Sequence, residues 1–324
     1  MKKRKLGYSD LYVSELCLGT MNFGWKEPEA SSIERLEQFV AAGGDFIDTA
    51  NVYSRREQPG KDFYGKDFSE YIDGTSERLI GKWVREKGNR QDLVIATKVG
   101  FPYPGIEMGT SAKQIRQECE RSLKRLQTDY IDLMYLHTDD RSVPLEESLG
   151  TLTELVKQGK VRQIGVSNFT TWRLAQACEV AKKDGLVMPC CVQQKHSYLR
   201  PKVGSDLGRQ VAANDELFDF LRSNDITLLA YSPLLKGYYG NKSKWLPVQY
   251  EGPDAVARMS VLEQISEETG ATCTQIVYYW LLHTQPSAIP MVAASTTEQF
   301  REAQCVLSMT LSQEQMTRLD AAGI

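Results

Sequence analysis

The sequence predicts a closed (β/α)8 barrel, and three observations predict it. Eight short apolar runs follow one another, amphipathic stretches of helical period separate them, and three of the runs deliver an acid, a lysine and a histidine at their carboxyl ends. Strand–helix alternation is the mark of parallel βαβ units. In an eight-stranded barrel the carboxyl rim is where reactive side chains gather.

Taken in order, Lys5-Leu6-Gly7 and Val13-Ser14-Glu15-Leu16 flank a turn at Ser9-Asp10 and read as a β-hairpin that could plug the barrel floor. The eight strand candidates are Cys17–Gly19, Phe46–Asp48, Leu93–Thr97, Tyr130–Leu136, Gln163–Val166, Cys190–Gln193, Ile226–Ala230 and Ala288–Pro290. Between them, Pro28–Ala42, Ser76–Lys87, Ser111–Leu126, Glu146–Gln158, Thr171–Asp184, Asp215–Ser223, Thr274–Leu282 and Glu298–Val306 repeat apolar residues at three- and four-residue spacing, as helices packed on a sheet do. Leu311–Ala322 reads as a further, terminal helix. Two long connections, Ser54–Asp73 with Arg55, Arg56, Phe63, Tyr64, Phe68 and Tyr71, and Lys236–Ala257 with Tyr238, Tyr239, Trp245 and Tyr250, leave strand carboxyl ends. Loops of that length are usually functional or disordered, and these are expected to line or cover a substrate pocket. Surface decoration or an oligomer contact is the alternative.

A chain of 324 residues could hold one large barrel or two ordinary domains. No compositional break divides it, so one domain over residues 1–324 is expected. A net charge of −3 gives no electrostatic reason to expect nucleic acid or an anionic membrane as partner. No apolar stretch reaches 18 residues, and the basic start, Met1-Lys2-Lys3-Arg4-Lys5, runs into Leu6-Gly7-Tyr8 without the apolar core of a secretory signal. The seven cysteines form no Cys-x-x-Cys pair, and the three histidines, His137, His196 and His283, have no metal-ligand spacing. Cys190-Cys191 are expected within a strand, pointing to opposite faces as core packing. A cytoplasmic, metal-free protein follows as the expectation. No Gly-x-Gly-x-x-Gly occurs, so a Rossmann domain is not supported.

The chemistry sits at the strand ends. Asp48 closes the run Phe46-Ile47, Tyr53 follows five residues on, Lys98 closes Leu93–Thr97, and His137 closes Tyr130–Leu136. Singly, each has an ordinary reading: a strand-capping acid, a core phenol, a snorkelling lysine, a packed imidazole. Together on one rim they place a phenol beside a cation, a carboxylate and an imidazole, which makes a proton-transfer site. A phenol with its ordinary pKa of about 10 is a reluctant acid. A nearby ammonium stabilises the phenolate and makes proton transfer feasible near neutral pH.

With Phe46-Ile47-Asp48-Thr49-Ala50 and Tyr53, Ala96-Thr97-Lys98, and Asp132-Leu133-Met134-Tyr135-Leu136-His137, the chain resembles the aldo-keto reductase superfamily from about Leu6 onward. The resemblance implies an NAD(P)(H)-dependent enzyme that passes hydride between a nicotinamide and an aldehyde, ketone or alcohol. Tyr53 would be the acid/base, Lys98 would tune it, Asp48 would hold Lys98, and a neutral His137 would orient the carbonyl oxygen. The potassium-channel β subunit resembles the rest but carries Asn at this histidine, so His137 favours an active reductase. Gly165-Val166-Ser167-Asn168-Phe169 and Gln193 match the elements that bind the nicotinamide carboxamide. Ser167-Asn168 would otherwise read as a helix N-cap. Ala230-Tyr231-Ser232-Pro233-Leu234 matches the element whose tyrosine stacks on the nicotinamide, with Ser232, Pro233 and Leu234 near the pyrophosphate. Gly19, Thr20 and Met21 are further candidate contacts, and Met21 is expected to shape the pocket. At the adenosine end, Ser295, Gln299 and Glu302 are the matching residues.

The chain also departs from the family. The usual Gln-x-Glu-Tyr-(Ser/Asn) reads Gln193-Gln194-Lys195-His196-Ser197, and Ala303 replaces a common Asn. Ser295-Thr296-Thr297 stands where a Lys or Arg often grips the 2′-phosphate of NADP, which guanidinium or ammonium holds best. Arg301 or the helix N-terminus near Thr296 would have to substitute. NADP(H) is the favoured cofactor and NAD(H) the alternative. Three rival functions are an NAD(H)-linked alcohol or sugar dehydrogenase on this scaffold, a low-turnover cofactor-sensing protein, and a Schiff-base enzyme with Lys98 as nucleophile. The carbonyl compound, the direction of flux and the oligomeric state are not legible in the sequence.

Overall fold

The computed structural model describes residues 1–61 and 67–323. Its first two strands, β1 (Lys3–Lys5) and β2 (Tyr12–Ser14), form the expected antiparallel hairpin. The barrel is built from β3 (Cys17–Gly19), β4 (Phe46–Asp48), β7 (Val94–Val99), β8 (Ile131–Leu136), β9 (Val161–Ser167), β10 (Cys191–Lys195), β11 (Thr227–Tyr231) and β12 (Ala288–Val292). These eight pair in parallel in chain order, and the sheet closes where β12 meets β3, with Met291 opposite Cys17 and Val292 opposite Leu18. The fold is a (β/α)8 barrel.

Strand alternation sends Cys17, Phe46, Val94, Ala96, Leu133, Tyr135, Leu229, Ile289 and Met291 into one interior cluster, and Leu6, Leu11 and Val13 of the hairpin close it from below. One close approach depends on a glycine: a Cβ on Gly165 would stand 2.7 Å from both Cys191 Sγ and the Tyr135 ring. Gly165 thus lets Tyr135 lie across the barrel beneath the rim.

The helices α1 (Glu29–Ala41), α2 (Thr75–Lys87), α3 (Ala112–Leu126), α4 (Leu145–Lys157), α5 (Thr171–Asp184), α6 (Asp215–Ser223), α8 (Cys273–His283), α9 (Thr297–Cys305) and α10 (Gln313–Ala321) fall where the periodicity places them. Capping boxes at Ser111/Gln114, Thr272/Gln275 and Ser312/Gln315 start α3, α8 and α10, each tying up two otherwise unpaired backbone donors.

Three expectations need correction. The connection after Tyr53 is not a plain loop, because the backbone forms an antiparallel ribbon, β5 (Arg55–Lys61) with β6 (Asp67–Ile72). Pro59-Gly60 hid it in the sequence, and the register shifts beside Pro59, where a sheet tolerates proline. Phe63 and Tyr64 lie outside the described residues. The second expected loop ends early, at α7 (Pro253–Thr269), a helix the periodicity does not announce. Its inward positions are Ala255, Arg258, Met259, Leu262 and Ile265; a charged residue in that row breaks the apolar pattern. Arg258 is fully buried. It donates to the Tyr198 and Ala322 carbonyls, both at 2.7 Å, and lies over the Tyr198 ring. Finally, β10 begins at Cys191, and Cys190 and Cys191 both pack in the interior cluster rather than on opposite faces.

Candidate active site

Four side chains from the first half of the barrel meet at its carboxyl rim. Asp48 ends β4, Lys98 lies near the end of β7, and His137 follows β8. Tyr53 stands in a turn beyond β4 whose backbone is fixed by Tyr53 N–H donating to the Ala50 carbonyl at 3.1 Å and the Tyr53 carbonyl accepting from Ser76 N–H at 3.1 Å. The Lys98 ammonium donates to Asp48, to the Thr49 carbonyl at 2.7 Å and to the Tyr53 hydroxyl at 3.3 Å. The second Asp48 oxygen accepts from Gln193 Nε2 at 2.8 Å. Asp48 and Lys98 are completely buried.

Burial alone would neutralise Lys98, but Asp48 and Tyr53 outweigh it and hold the pKa above the ordinary lysine value. The ammonium beside the phenol therefore stays charged at neutral pH, while burial raises the Asp48 carboxyl above its ordinary value against the pull of Lys98 and Gln193. Burial drives His137 the other way, well below the ordinary histidine value, and Lys98 adds to the effect. The imidazole is neutral, its buried Nδ1 has no partner among the described residues, and its ring packs 4.2 Å from Phe101 and 6.1 Å from Tyr53.

A second layer of buried polar groups holds the Tyr53 turn. Asn51 Nδ2 donates to Glu118 Oε2 at 2.8 Å, and the Tyr103 hydroxyl donates to the same oxygen at 2.7 Å. Glu77 accepts from Thr97 at 2.6 Å and from Arg125 at 2.5 Å. These contacts fasten the Tyr53 and Lys98 connections to α3, and they were not anticipated from sequence. An acid and an arginine bordering the apolar stripe of α3 gave no signal of burial. Asp132, inside the matched strand, is a pin at the opposite end of the barrel, accepting from Arg90 at 2.6 Å and Arg162 at 2.9 Å.

The other rim candidates are arranged as follows. Asn168 has left-handed backbone, φ 60°, and its amide is fully used. Its Nδ2 donates to the His137 carbonyl at 3.0 Å and to Ser167 Oγ at 3.1 Å, while its Oδ1 accepts from the Tyr231 hydroxyl at 2.7 Å and from Val211 N–H at 3.2 Å. Gln194, which alternation turns away from the barrel interior, supports the turn by accepting from Asn168 N–H at 2.9 Å.

Thr20 donates to the Asp48 carbonyl at 2.8 Å, Gly19 pairs with Asp48 across β3–β4, and Met21 is exposed. After β11, Ser232, Leu235 and Lys236 all have positive φ, with Pro233 and Leu234 between them. Each such residue costs about 1–3 kcal/mol, so the Ser232–Lys236 turn is held in a strained shape. At the far end Gln299 accepts from Ser295 N–H at 2.9 Å, and Glu302 accepts from Thr272 Oγ1 at 2.5 Å. Arg301 is exposed. A second cation beside α9, Arg35 of α1, is buried and donates to Gln38 Oε1 at 2.6 Å and to Thr297 Oγ1 at 3.3 Å. Of the second long connection's aromatics, Trp245 is exposed. Tyr239 and Tyr250 are core, with the Tyr239 hydroxyl accepting from Leu199 N–H at 2.7 Å, so those two do not line a pocket.

The buried imidazoles have a consequence for stability. Burial lowers the pKa of His196 to about 3, with Arg200 and Arg258 adding, and lowers that of His137 as described. Both are neutral in the fold, whereas unfolded histidines titrate near about 6.5. Below that pH the unfolded chain binds more protons, so their contribution is complete above about pH 6.5 and is lost as pH falls toward the folded values. We expect the unfolding free energy to decline below pH 6.5 by about 1.4 kcal/mol per unit per histidine. In urea titrations across that range, His196→Gln should remove about one histidine's share of the slope. An unaltered slope would refute this.

Comparison with known proteins agrees with the geometry. Residues 15–324 match the model of the aldo/keto reductase family. The chain is 31% identical to norsolorinic acid reductase stcV of Emericella nidulans, over 95% of this chain and 78% of that one. It is also 31% identical to the uncharacterized oxidoreductase YrpG of Bacillus subtilis, over 99% of this chain and 95% of the relative. A crystal structure of a thermostable aldo-keto reductase with the inhibitor epalrestat superposes with a TM-score of 0.74 at 28% identity, covering 99% of both chains. Among the described residues no helix is long and apolar enough to cross a membrane. The closed parallel barrel, the four rim side chains and a family match over nearly the whole length converge, and the chain belongs to the aldo/keto reductase family.

Proposed function

We propose that this protein is an NAD(P)(H)-dependent reductase of aldehydes or ketones, working in reverse as an alcohol dehydrogenase, with Tyr53 as its general acid/base. One observation carries the reading: the Tyr53 hydroxyl lies 3.3 Å from a buried ammonium that is itself bound to Asp48. When the carbonyl carbon gains hydride, its oxygen needs a proton. Tyr53 donates it, and Lys98 stabilises the phenolate left behind. Asp48 keeps Lys98 charged and aimed. His137, neutral at working pH, offers a ring N–H to the carbonyl oxygen without competing as an acid.

The nicotinamide supplies the hydride when bound. The residues present suit such a group. The Ser167 hydroxyl and the Gln193 amide oxygen offer short polar partners to a carboxamide, Asn168 would do so by exchanging one of its present contacts, and the Tyr231 ring offers a flat face. Gly19, Thr20, Met21, Ser232, Pro233 and Leu234 would border the cofactor, and Ser295, Gln299 and Glu302 its adenosine end. The norsolorinic acid reductase among the relatives supports a ketone or aldehyde as substrate, and a single-domain, cytoplasmic protein is part of the same proposal.

Fluorescence titration with NADPH and with NADH, followed by aldehyde-dependent oxidation of whichever binds, tests this reading. We expect saturable binding and turnover with at least one of the two. Preference for NADPH would point to Arg301 or backbone groups at the 2′-phosphate. Equal or reversed preference would make the neutral Ser295-Thr296-Thr297 stretch the determinant and favour the dehydrogenase direction. Binding of neither would remove the reductase reading.

A further inference from the structure

The connections that follow β10 and β11 leave the rim side by side. Lys195 stands opposite Tyr231 in the strand register, and His196 N–H, just beyond β10, donates to the Tyr231 carbonyl at 3.3 Å. After β11 comes the turn over residues 232–236, with Ser232 at φ 53°, Leu235 at φ 46° and Lys236 at φ 61°. None of the three is glycine, and such backbone persists only where its surroundings over-determine it. The turn ties two of its own carbonyls. That of Ser232 accepts from Leu235 N–H at 3.2 Å, and that of Leu234 accepts from Gly237 N–H at 2.8 Å and Tyr238 N–H at 3.1 Å. The Pro233 carbonyl between them is held from outside the turn, by Ser197 Oγ at 2.6 Å.

Ser197 belongs to a chain of hydrogen bonds whose direction is fixed. A carbonyl only accepts and a backbone N–H only donates. The Ser197 proton is therefore committed to Pro233, and the Tyr239 oxygen accepts from Leu199 N–H at 2.7 Å. The Tyr239 proton is left for Ser197 Oγ, 2.7 Å away. Leu199 N–H, Tyr239 O–H and Ser197 O–H thus point in one sense toward the Pro233 carbonyl. Burial holds the Tyr239 phenol protonated, its pKa well above the ordinary value. Ser197, Leu199 and Tyr239 are all buried, so a broken link leaves polar groups without water to replace it. Both ends of the turn, at Pro233 and Tyr239, are fastened to the same short stretch after β10.

We propose that Ser197 and Tyr239 are positioning residues, which act through the Pro233 carbonyl to hold the turn over residues 232–236 in its cofactor-receiving shape before the cofactor arrives. The cofactor's part in this rests on the reductase reading, and the anchoring of the turn does not. A turn that loses its anchor samples other shapes. A nucleotide that needs the native shape then binds more weakly, in proportion to the time that shape is absent. Once bound, it has restored the shape, so the chemistry that follows proceeds as before.

The test has two readouts on the full chain. The first is hydrogen–deuterium exchange without nucleotide. In Ser197→Ala, residues 232–239 should exchange at least about tenfold faster than in wild type, while β8 exchanges as before. Equal exchange in the two proteins would overturn the proposal, and so would equal acceleration in β8, the mark of general loosening. The second readout is the affinity for NADPH or NADH, whichever the wild type binds. Ser197→Ala should bind it about tenfold more weakly, with kcat at saturating nucleotide lowered by no more than about twofold. An unchanged affinity, or a kcat that falls in step with it, would rule out the positioning role. Should Ser197→Ala lose its native circular dichroism, Tyr239→Phe, which removes a single oxygen, decides by the same criteria. Exchange at residues 232–239 that depends on Ser197, in a wild type that binds neither nucleotide, would remove the reductase reading and leave the anchoring of the turn standing.

Discussion

Lys98→Met is expected to cost about 3–5 kcal/mol of stability and nearly all reductase activity at once, through two separable causes. The stability loss arises because Asp48, fully buried, keeps its Gln193 contact but loses the ammonium that balanced its charge. The Thr49 carbonyl loses its Lys98 donor too. The activity loss arises because nothing then stabilises the Tyr53 phenolate. Pairing the change with Asp48→Leu separates the causes. The double variant should recover most of the stability, since replacing both members of a buried ion pair with apolar groups is often neutral, while activity stays lost. Denaturation midpoints and single-turnover rates on the same preparations measure the two effects. A double variant as unstable as Lys98→Met would sink the account of the buried pair.

Tyr53→Phe should instead leave the fold intact and lower kcat by about 10²–10⁴-fold, the usual worth of a positioned proton donor. The turn that holds residue 53 is secured by backbone bonds and by the Asn51–Glu118 contact, none of which uses the phenol oxygen. Cofactor binding should change by less than about threefold, because hydride transfer and proton transfer rest on different residues. Rates measured under saturating cofactor decide it. A variant with more than about a tenth of wild-type kcat would show that another group, or water, delivers the proton.

The barrel was legible because its strands are short, apolar and separated by helices of clean period. Phe46–Asp48 needs only three residues to declare itself, since Gly43-Gly44 stops the preceding helix. The rim side chains were legible because a charged residue at the end of an apolar run has few structural reasons to be there. Side chains that stabilise the rim from behind were not. Glu118 and Arg125 border the apolar stripe of α3 and read as solvated because they are charged, yet both are buried. Their burial depends on Asn51, Tyr103 and Glu77, which come from other parts of the chain. Helix α7 was missed for a related reason, because a buried arginine bonded to the carbonyls of Tyr198 and Ala322 looks polar in sequence. Position along the chain predicts which face a residue takes only when its partners are local.

The seam between β12 and β3 has a consequence for how the protein is made. Met291 pairs with Cys17 and Val292 with Leu18, so the sheet cannot close until almost all of the chain has been synthesised. Contacts of such long sequence separation are slow to form, and until they do both seam strands present open edges that can pair with other chains. Asp48 and Lys98 lie on early neighbouring strands, whereas Gln193 comes from the later half. The ion pair can therefore assemble in a half-built barrel, but its last hydrogen bond must wait for the late strands to arrive. A nascent chain stalled after β8 should expose apolar surface and recruit chaperones, and release of the remaining strands should bury that surface and complete the rim in one step.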